Sequence, residues 1–332
     1  MPEGFLWPVS PDQKGIMLTL FTTPKPFKGL FGVIQRNAIR SWTMLRPRPQ
    51  IIVIDEVVGA AEAAKEFGLT LVREVERNEL GTPLLSSIFE TGQRKAANNI
   101  VCYVNADIIL PQSFIEGVKR IVAMSAGGPF LLIGQRWNVN LSKPWDFDDG
   151  DWEKKLSSYA KDNGYQESAG ATDYFVFPKG AFPAIPDFAV GRGAWDGWFL
   201  WNARNRNIPL IDATAVIRIY HQQHDYSHLK SGKNTLTDRE CRVNQKLRGT
   251  FLRQFNILDS TYLFTPDGLQ PAPKGRKLRA WLLRFKMCLV YYLQLWHPFS
   301  YPIVVVLKAL RRAVVFLLKF GLSFQLTKDT ET

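Results

Sequence analysis

Cysteine is scarce in this chain. Cys102, Cys241 and Cys288 are the only three among 332 residues, odd in number, widely spaced and in no paired-ligand pattern. Neither a disulfide framework nor a structural zinc site fits that arrangement, and a reducing compartment does. The opening residues, Met-Pro-Glu-Gly-Phe-Leu-Trp-Pro, lack the basic start and apolar stretch of a secretory signal, so the bulk of the chain is expected to face the cytosol. Internal repeats and low-complexity runs are also missing. Acidic residues are almost absent from residue 270 onward, where eleven Lys and Arg face only Asp329 and Glu331. Of the net charge of +12, residues 270–332 therefore carry +9 and the rest only +3. The charge concerns what the tail touches.

The hydrophobic content of 46% and aromatic content of 13% are enough to bury one large core with an appendage. Apolar runs at Ile16 to Phe21, Ile51 to Ile54, Leu69 to Val72, Ile100 to Val104 and Phe130 to Ile133 have strand length. Between them lie segments of helical spacing: Ile34, Ala38, Ile39, Trp42 and Leu45 in one, and Pro83 to Ala97, with proline in its first turn, in another. Near-continuous apolar strands alternating with helices predict an α/β fold, a mostly parallel sheet covered on both faces. After Gln135 the regularity breaks. Trp137 to Gly170, rich in aromatic, acidic and glycine residues and including Trp145, reads as a long functional loop or a solvated insertion. A strand at Asp173 to Phe177, a helix from Phe199 to Arg206 and a strand from Ile208 to Ile219 complete the body, expected to span residues 1–270 with a tail over 271–332.

Chemistry concentrates where strands are expected to end. The run from Val101 to Leu110 ends by presenting Asp107, with Asn105 two places earlier. A carboxylate at the carboxyl end of a strand in an open α/β sheet stands where such sheets bind ligands, and it can hold a divalent metal against a diphosphate; alternatively it starts the turn before Pro111. Thr22-Thr23-Pro24 and Asp55-Glu56 end the first two strands on the same edge, where an acid can accept from a ring N–H or a ribose hydroxyl. His221, His224 and His228 fall within eight residues after a strand. An imidazole from this segment with Asp107 suits Mn²⁺ or Mg²⁺, His221 and His224 being the candidate ligands. Asp196 lies between Trp195 and Trp198 in a glycine-rich turn. Desolvated by aromatics it would be a general base; at a helix start it would equally serve as an N-cap.

Taken in order, Asp55-Glu56, Gln93-Arg94-Lys95, Asn105-Ala106-Asp107, Thr172 to Pro178, Trp195-Asp196-Gly197-Trp198 and His221 to Tyr226 resemble glycosyltransferases of the GT-A fold, more narrowly a bacterial family-2-like group, over about residues 15 to 230. The resemblance implies a nucleotide-sugar donor and a divalent metal. It implies that Asp107 is the last acid of the DxD motif, with Asn105 standing where the first acid usually is, an amide that brings no charge. Thr22, Pro24, Asp55, Glu56 and Arg94 fall on the donor side, Asp173, Trp195 and Trp145 on the acceptor side, Asp196 at the general base of inverting members, and His221 or His224 at a late metal-reaching histidine. The implied reaction is transfer of a sugar to a glycan or lipid-linked acceptor. A sugar nucleotidyltransferase is the first alternative, but Thr22-Thr23-Pro24-Lys25-Pro26 does not match its glycine-rich phosphate loop. A non-catalytic nucleotide-sugar-binding module is the second.

In the tail, Leu278, Trp281, Leu282, Phe285, Leu289, Tyr292 and Trp296 recur at helical spacing, flanked by Arg276, Lys277, Arg279, Arg284 and Lys286. A second helix over 303–320 sets Lys308, Arg311, Arg312 and Lys319 on one face. Such cationic stripes on apolar helices predict peripheral or monotopic attachment through residues 274–322 to an anionic membrane surface, on the cytoplasmic side of the inner or plasma membrane. Met287 to Leu307 carries no Lys, Arg, Asp or Glu, but Pro298 and Pro302 at its centre disfavour a straight span. Aliphatic residues outnumber the polar groups that would track phosphates, which argues against nucleic acid.

Overall fold

The computed structural model describes residues 18–224 and 238–295. Its first part runs β1 (Leu18–Thr22), α1 (Gly29–Met44), β2 (Gln50–Ile54), α2 (Ala60–Phe67), β3 (Thr70–Val72), α3 (Leu85–Lys95) and β4 (Ile100–Val104). The chain continues through β5 (Ile108–Ile109), α4 (Gln112–Ser125), β6 (Leu131–Ile133), β7 (Arg136–Val139), α5 (Trp152–Asn163), β8 (Tyr165–Gln166), β9 (Tyr174–Pro178) and α6 (Trp195–Asn205). It then passes β10 (Leu210–Asp212), β11 (Ile219–Gln222), α7 (Arg239–Arg248), β12 (Tyr262–Thr265), β13 (Gly268–Pro271) and α8 (Gly275–Leu295).

The expected mostly parallel α/β sheet is present, with nine strands in the order β13-β12-β10-β6-β9-β4-β1-β2-β3. Strands β1 to β4 are mutually parallel, β9 runs antiparallel between β4 and β6, and β10 and β12 return to the parallel sense. Because side chains alternate along a strand, both faces of these continuous apolar runs are filled. Leu18, Leu20, Cys102 and Val104 pack beneath α1 and α4, while Phe21, Val101, Tyr103, Phe175 and Phe177 pack beneath α3 and α6. Each fully buried side chain of this kind contributes about 1.5–3 kcal/mol.

A second sheet, β5-β11-β7-β8, corrects the expectation of an irregular stretch from Trp137 to Gly170. Two strands and a helix lie inside it. Trp152, Leu156 and Ala160 recur every four residues along α5 and bury against Ile109, Val139 and Tyr220. The acidic residues before α5 pair with its lysines, Asp149 with Lys155 and Asp151 with Lys154. The apolar run Ile208 to Ile219 is likewise two strands in two sheets, β10 and β11.

The first compact unit ends at Arg284 and the second begins at Phe285. Residues past 270 belong to the first: β13 pairs with β12, Ala280 is buried, and Arg276 reaches Asp212 at 2.6 Å. The expected boundary at 270 therefore falls within a hairpin of the body. No helix among the described residues is long and apolar enough to cross a membrane. The amino-terminal segment, His228 and the expected helix at 303–320 lie outside the described residues.

Candidate active site

Parallel strands deliver their carboxyl ends to one edge, and the register shows which residues meet there. Thr22 pairs with Val53, Phe21 with Tyr103, and Val104 with Tyr174, the first residue of antiparallel β9. So Thr22, Asp55, Asp107 and Asp173 all emerge on the same side. The hydroxyls of Thr22 and Thr23 are buried and have no hydrogen-bond partner among the described residues. Pro24 is also buried. Asp55 is buried with φ +107, a conformation L-residues rarely hold, and its carboxylate pairs with Arg77. Burial raises its proton affinity while Arg77 pulls it back. Glu56 is exposed and meets Arg73 at 3.4 Å.

The two-residue strand β5 pairs antiparallel with β11, setting His221 opposite Ile108 and hence beside Asp107. His224 Nε2 lies 3.1 Å and His221 Nε2 3.5 Å from Asp107 Oδ2, and ligand atoms of all three fall within 4.8 Å of one another. Gln222 locks the arrangement from behind: its side chain donates to the Asp107 and Ile34 carbonyls and accepts from Asn37. Burial alone would push Asp107 up, but the two imidazoles outweigh it and hold its carboxyl well below the usual range. Its Oδ1 is buried without a partner among the described residues. A carboxylate with one unsatisfied oxygen beside two imidazoles is a donor set that fits a divalent cation such as Mn²⁺.

Next to this group stands a second one. Asn105 donates through its backbone N–H to the Asp173 carbonyl at 3.0 Å and through Nδ2 to Oδ1 at 2.9 Å, so its amide is committed to Asp173. Arg136 Nη1 bonds both oxygens of Asp173, at 2.8 and 3.0 Å. Asp196 stands in the first turn of α6, half-buried. The N-cap is Ala194, at φ +87, so Asp196 is not the cap. Its proton affinity is raised by burial and by the charge of Asp173, against the Gly197 N–H and Arg136.

Three expected contacts are not brought to this place. Arg94 is exposed near the end of α3, where Gln50, the first residue of β2, binds the neighbouring Lys95 and Ala97. That is the amino edge of the strands, opposite the site. Trp195 packs among Phe89, Tyr103 and Phe175 in the core rather than lining an acceptor groove. Trp145 packs on Tyr159, donates its backbone N–H to Asn37 Oδ1, and lines a cleft of about 500 Å³ along α1 with Arg36 and Arg40. Conversely, Arg77, Arg136, Asn138 and Glu167 belong to the site and were not foreseen. Arg136 and Asn138 share one face of β7 by strand alternation, a signal hidden once their segment is read as a loop.

Neither a protein-family model nor a curated protein matches the chain. Solved structures do. A mannosyltransferase from Pyrobaculum calidifontis in complex with GDP-Man and Mn²⁺ is 17% identical, with a TM-score of 0.39 over 65% of this chain and 59% of that one. The glucosyl-3-phosphoglycerate synthase of Mycobacterium tuberculosis in complex with Mn²⁺, UDP and glucosyl-3-phosphoglycerate is 14% identical, with a TM-score of 0.43 over 75% of this chain and 86% of that one. The chain thus spans about three fifths of the mannosyltransferase it matches.

Proposed function

We propose that the chain is a GT-A-type glycosyltransferase that moves a sugar from a nucleotide-diphosphate donor to a hydroxyl of a glycan or lipid-linked acceptor, in cell-surface polysaccharide or glycolipid synthesis. The observation that carries this reading is the convergence of Asp107, His221 and His224 with the linked Asn105, Asp173, Arg136 and Asp196 at the carboxyl edge of one parallel sheet. A divalent cation, Mn²⁺ or Mg²⁺, would supply positive charge at the departing diphosphate. Asp107, His221 and His224 would hold it. The hydroxyls of Thr22 and Thr23, unpaired among the described residues, stand with Asp55 where a nucleoside would satisfy them. Asp196 takes the acceptor's proton as that oxygen attacks the anomeric carbon; the bond to the diphosphate oxygen breaks with its electron pair, and the centre inverts.

The raised proton affinity of Asp196 supports its role as base. Exposed Leu278, Trp281 and Leu282 on α8, with Arg and Lys around them, support attachment to an anionic membrane surface on the cytoplasmic side. Thermal-shift titration of the full chain with UDP, GDP, CMP and dTDP, each with and without Mn²⁺, tests the donor site. One nucleoside diphosphate is expected to stabilise the fold only when metal is present, by about 2.7 kcal/mol at a hundredfold excess over Kd. No metal-dependent response to any of them removes the assignment of Asp107 and its histidines. Binding without turnover would identify a non-catalytic module.

A further inference from the structure

His221 makes a contact that the reading above does not use. Its Nδ1 lies 3.0 Å from Asn138 Oδ1, the residue directly beside it across the β7 to β11 pairing. Asn138 is 2% exposed, so solvent offers its amide no alternative. Its Nδ2 donates at 2.9 Å to Glu167 Oε2. Glu167 also accepts the Ser168 N–H through Oε1 and has Arg136 Nη2 at 3.9 Å. Burial would raise its carboxyl, but Ser168, Asn138 and Arg136 outweigh it and keep it ionised below the usual range.

These contacts have one consistent polarity. An ionised carboxylate only accepts, so Asn138 must turn its NH₂ toward Glu167 and its carbonyl oxygen toward His221. A carbonyl oxygen also only accepts, so the proton at that contact belongs to His221 Nδ1. In the neutral ring Nε2 is then the bare nitrogen, and it faces Asp107 at 3.5 Å.

We propose that Asn138 and Glu167 are positioning residues that fix His221 as its Nδ1–H tautomer, aiming the Nε2 lone pair at the place beside Asp107 where a divalent cation would bind. The 3.0 Å contact to Asn138 favours this tautomer over the one that would donate from Nε2 to Asp107 across 3.5 Å; its use in metal binding rests on the function proposed above. Arg136 then serves two ends, holding Asp173 on one side and the start of this relay on the other.

Two measurements on the full chain separate the parts. In metal-free protein labelled with ¹⁵N-histidine, at about pH 9 where imidazoles are neutral, His221 is expected to be Nδ1-protonated, its signals identified by their loss in His221→Gln. Glu167→Gln, which can offer either end of its amide, should give a mixture of tautomers, and Asn138→Leu should release the ring to the Nε2–H form. A wild-type His221 protonated at Nε2, or a tautomer unmoved in both variants, overturns the proposal. In Mn²⁺ titrations, Asn138→Leu is expected to weaken binding about 10- to 100-fold, the usual effect of losing a ligand's outer partner, whereas Asn138→Asp, which still accepts from Nδ1–H, should lose less. Equal affinity in all three proteins also overturns it. If wild-type protein binds no Mn²⁺, the metal reading fails and the tautomer measurement still decides this one.

Discussion

Asp196 and Asp173 are two acids with opposite surroundings, close enough for the charge of one to act on the other. Asp173 is paired with Arg136 and hydrogen-bonded by Asn105, whereas Asp196, among the described residues, has little beyond one backbone N–H and feels the charge of Asp173. An acid whose charged form is disfavoured binds its proton more tightly, so the ionised base disappears as pH falls through a value above that of an ordinary aspartate. Asp173→Asn removes the repelling charge and leaves Arg136 close by. Its effect has a definite sign: the acidic limb of kcat/KM against pH should move to lower pH, and a limb that stays or moves upward would remove Asp173 as the tuning charge. Asp196→Asn should lower kcat about 10²- to 10⁴-fold, the span general-base catalysis supplies. Nucleotide affinity, measured by calorimetry, should be unchanged, because the role proposed for Asp196 is toward the acceptor hydroxyl.

At the scale of elements, the position of Asp196 depends on how closely α6 approaches the turn after α7. A Cβ on Gly197 would lie 2.2 Å from Gln254 Nε2 and 2.8 Å from the Phe255 carbonyl oxygen, and the Phe255 N–H bonds the Gly197 carbonyl at 3.1 Å. Gln254 has a movable side chain; the Phe255 backbone does not yield so easily. Gly197→Ala should therefore destabilise the fold by about 1–3 kcal/mol in urea titrations, and it should cost kcat at temperatures where the protein is still folded. Wild-type stability would mean that α6 is free to shift. The core strands of this sheet were legible because they are apolar on both faces, and so were the acids at their ends. The short strands β5, β7 and β8 were not legible, since two to four residues carry too little periodicity to stand out from a loop. With them went Arg136, Asn138 and Glu167, whose meaning depends on a pairing between segments far apart in the chain. Arg94 failed for a related reason: helical spacing marks a face of α3, but not which edge of the sheet its last turn reaches.

At the scale of the whole molecule, charge and apolar exposure meet on α8. Leu278, Trp281 and Leu282 are 65%, 47% and 51% exposed, and the chain's net positive charge is concentrated in residues 270–332. Yet the first half of α8 is also part of the body, since Arg276 pairs with Asp212, Arg284 with Asp259, and the Asn256 side chain donates to the Ala280 carbonyl. Truncation consequently has two different expected results. A chain ending at residue 284 should keep its far-ultraviolet circular dichroism and a cooperative melt, while one ending at residue 270 leaves Asp212 and Asp259 buried without their arginines and should melt well below it. Membrane attachment is then tested by Leu278→Glu, Trp281→Glu and Leu282→Glu together in the full chain, with a wild-type melt as the control for the fold. Wild-type protein should float with vesicles rich in anionic lipid, less so with zwitterionic ones and less at high salt, because each basic residue near such a surface contributes about 1 kcal/mol through a screened interaction. The triple variant should stay in solution; flotation equal to wild type would show that this face of α8 is not what meets the lipid.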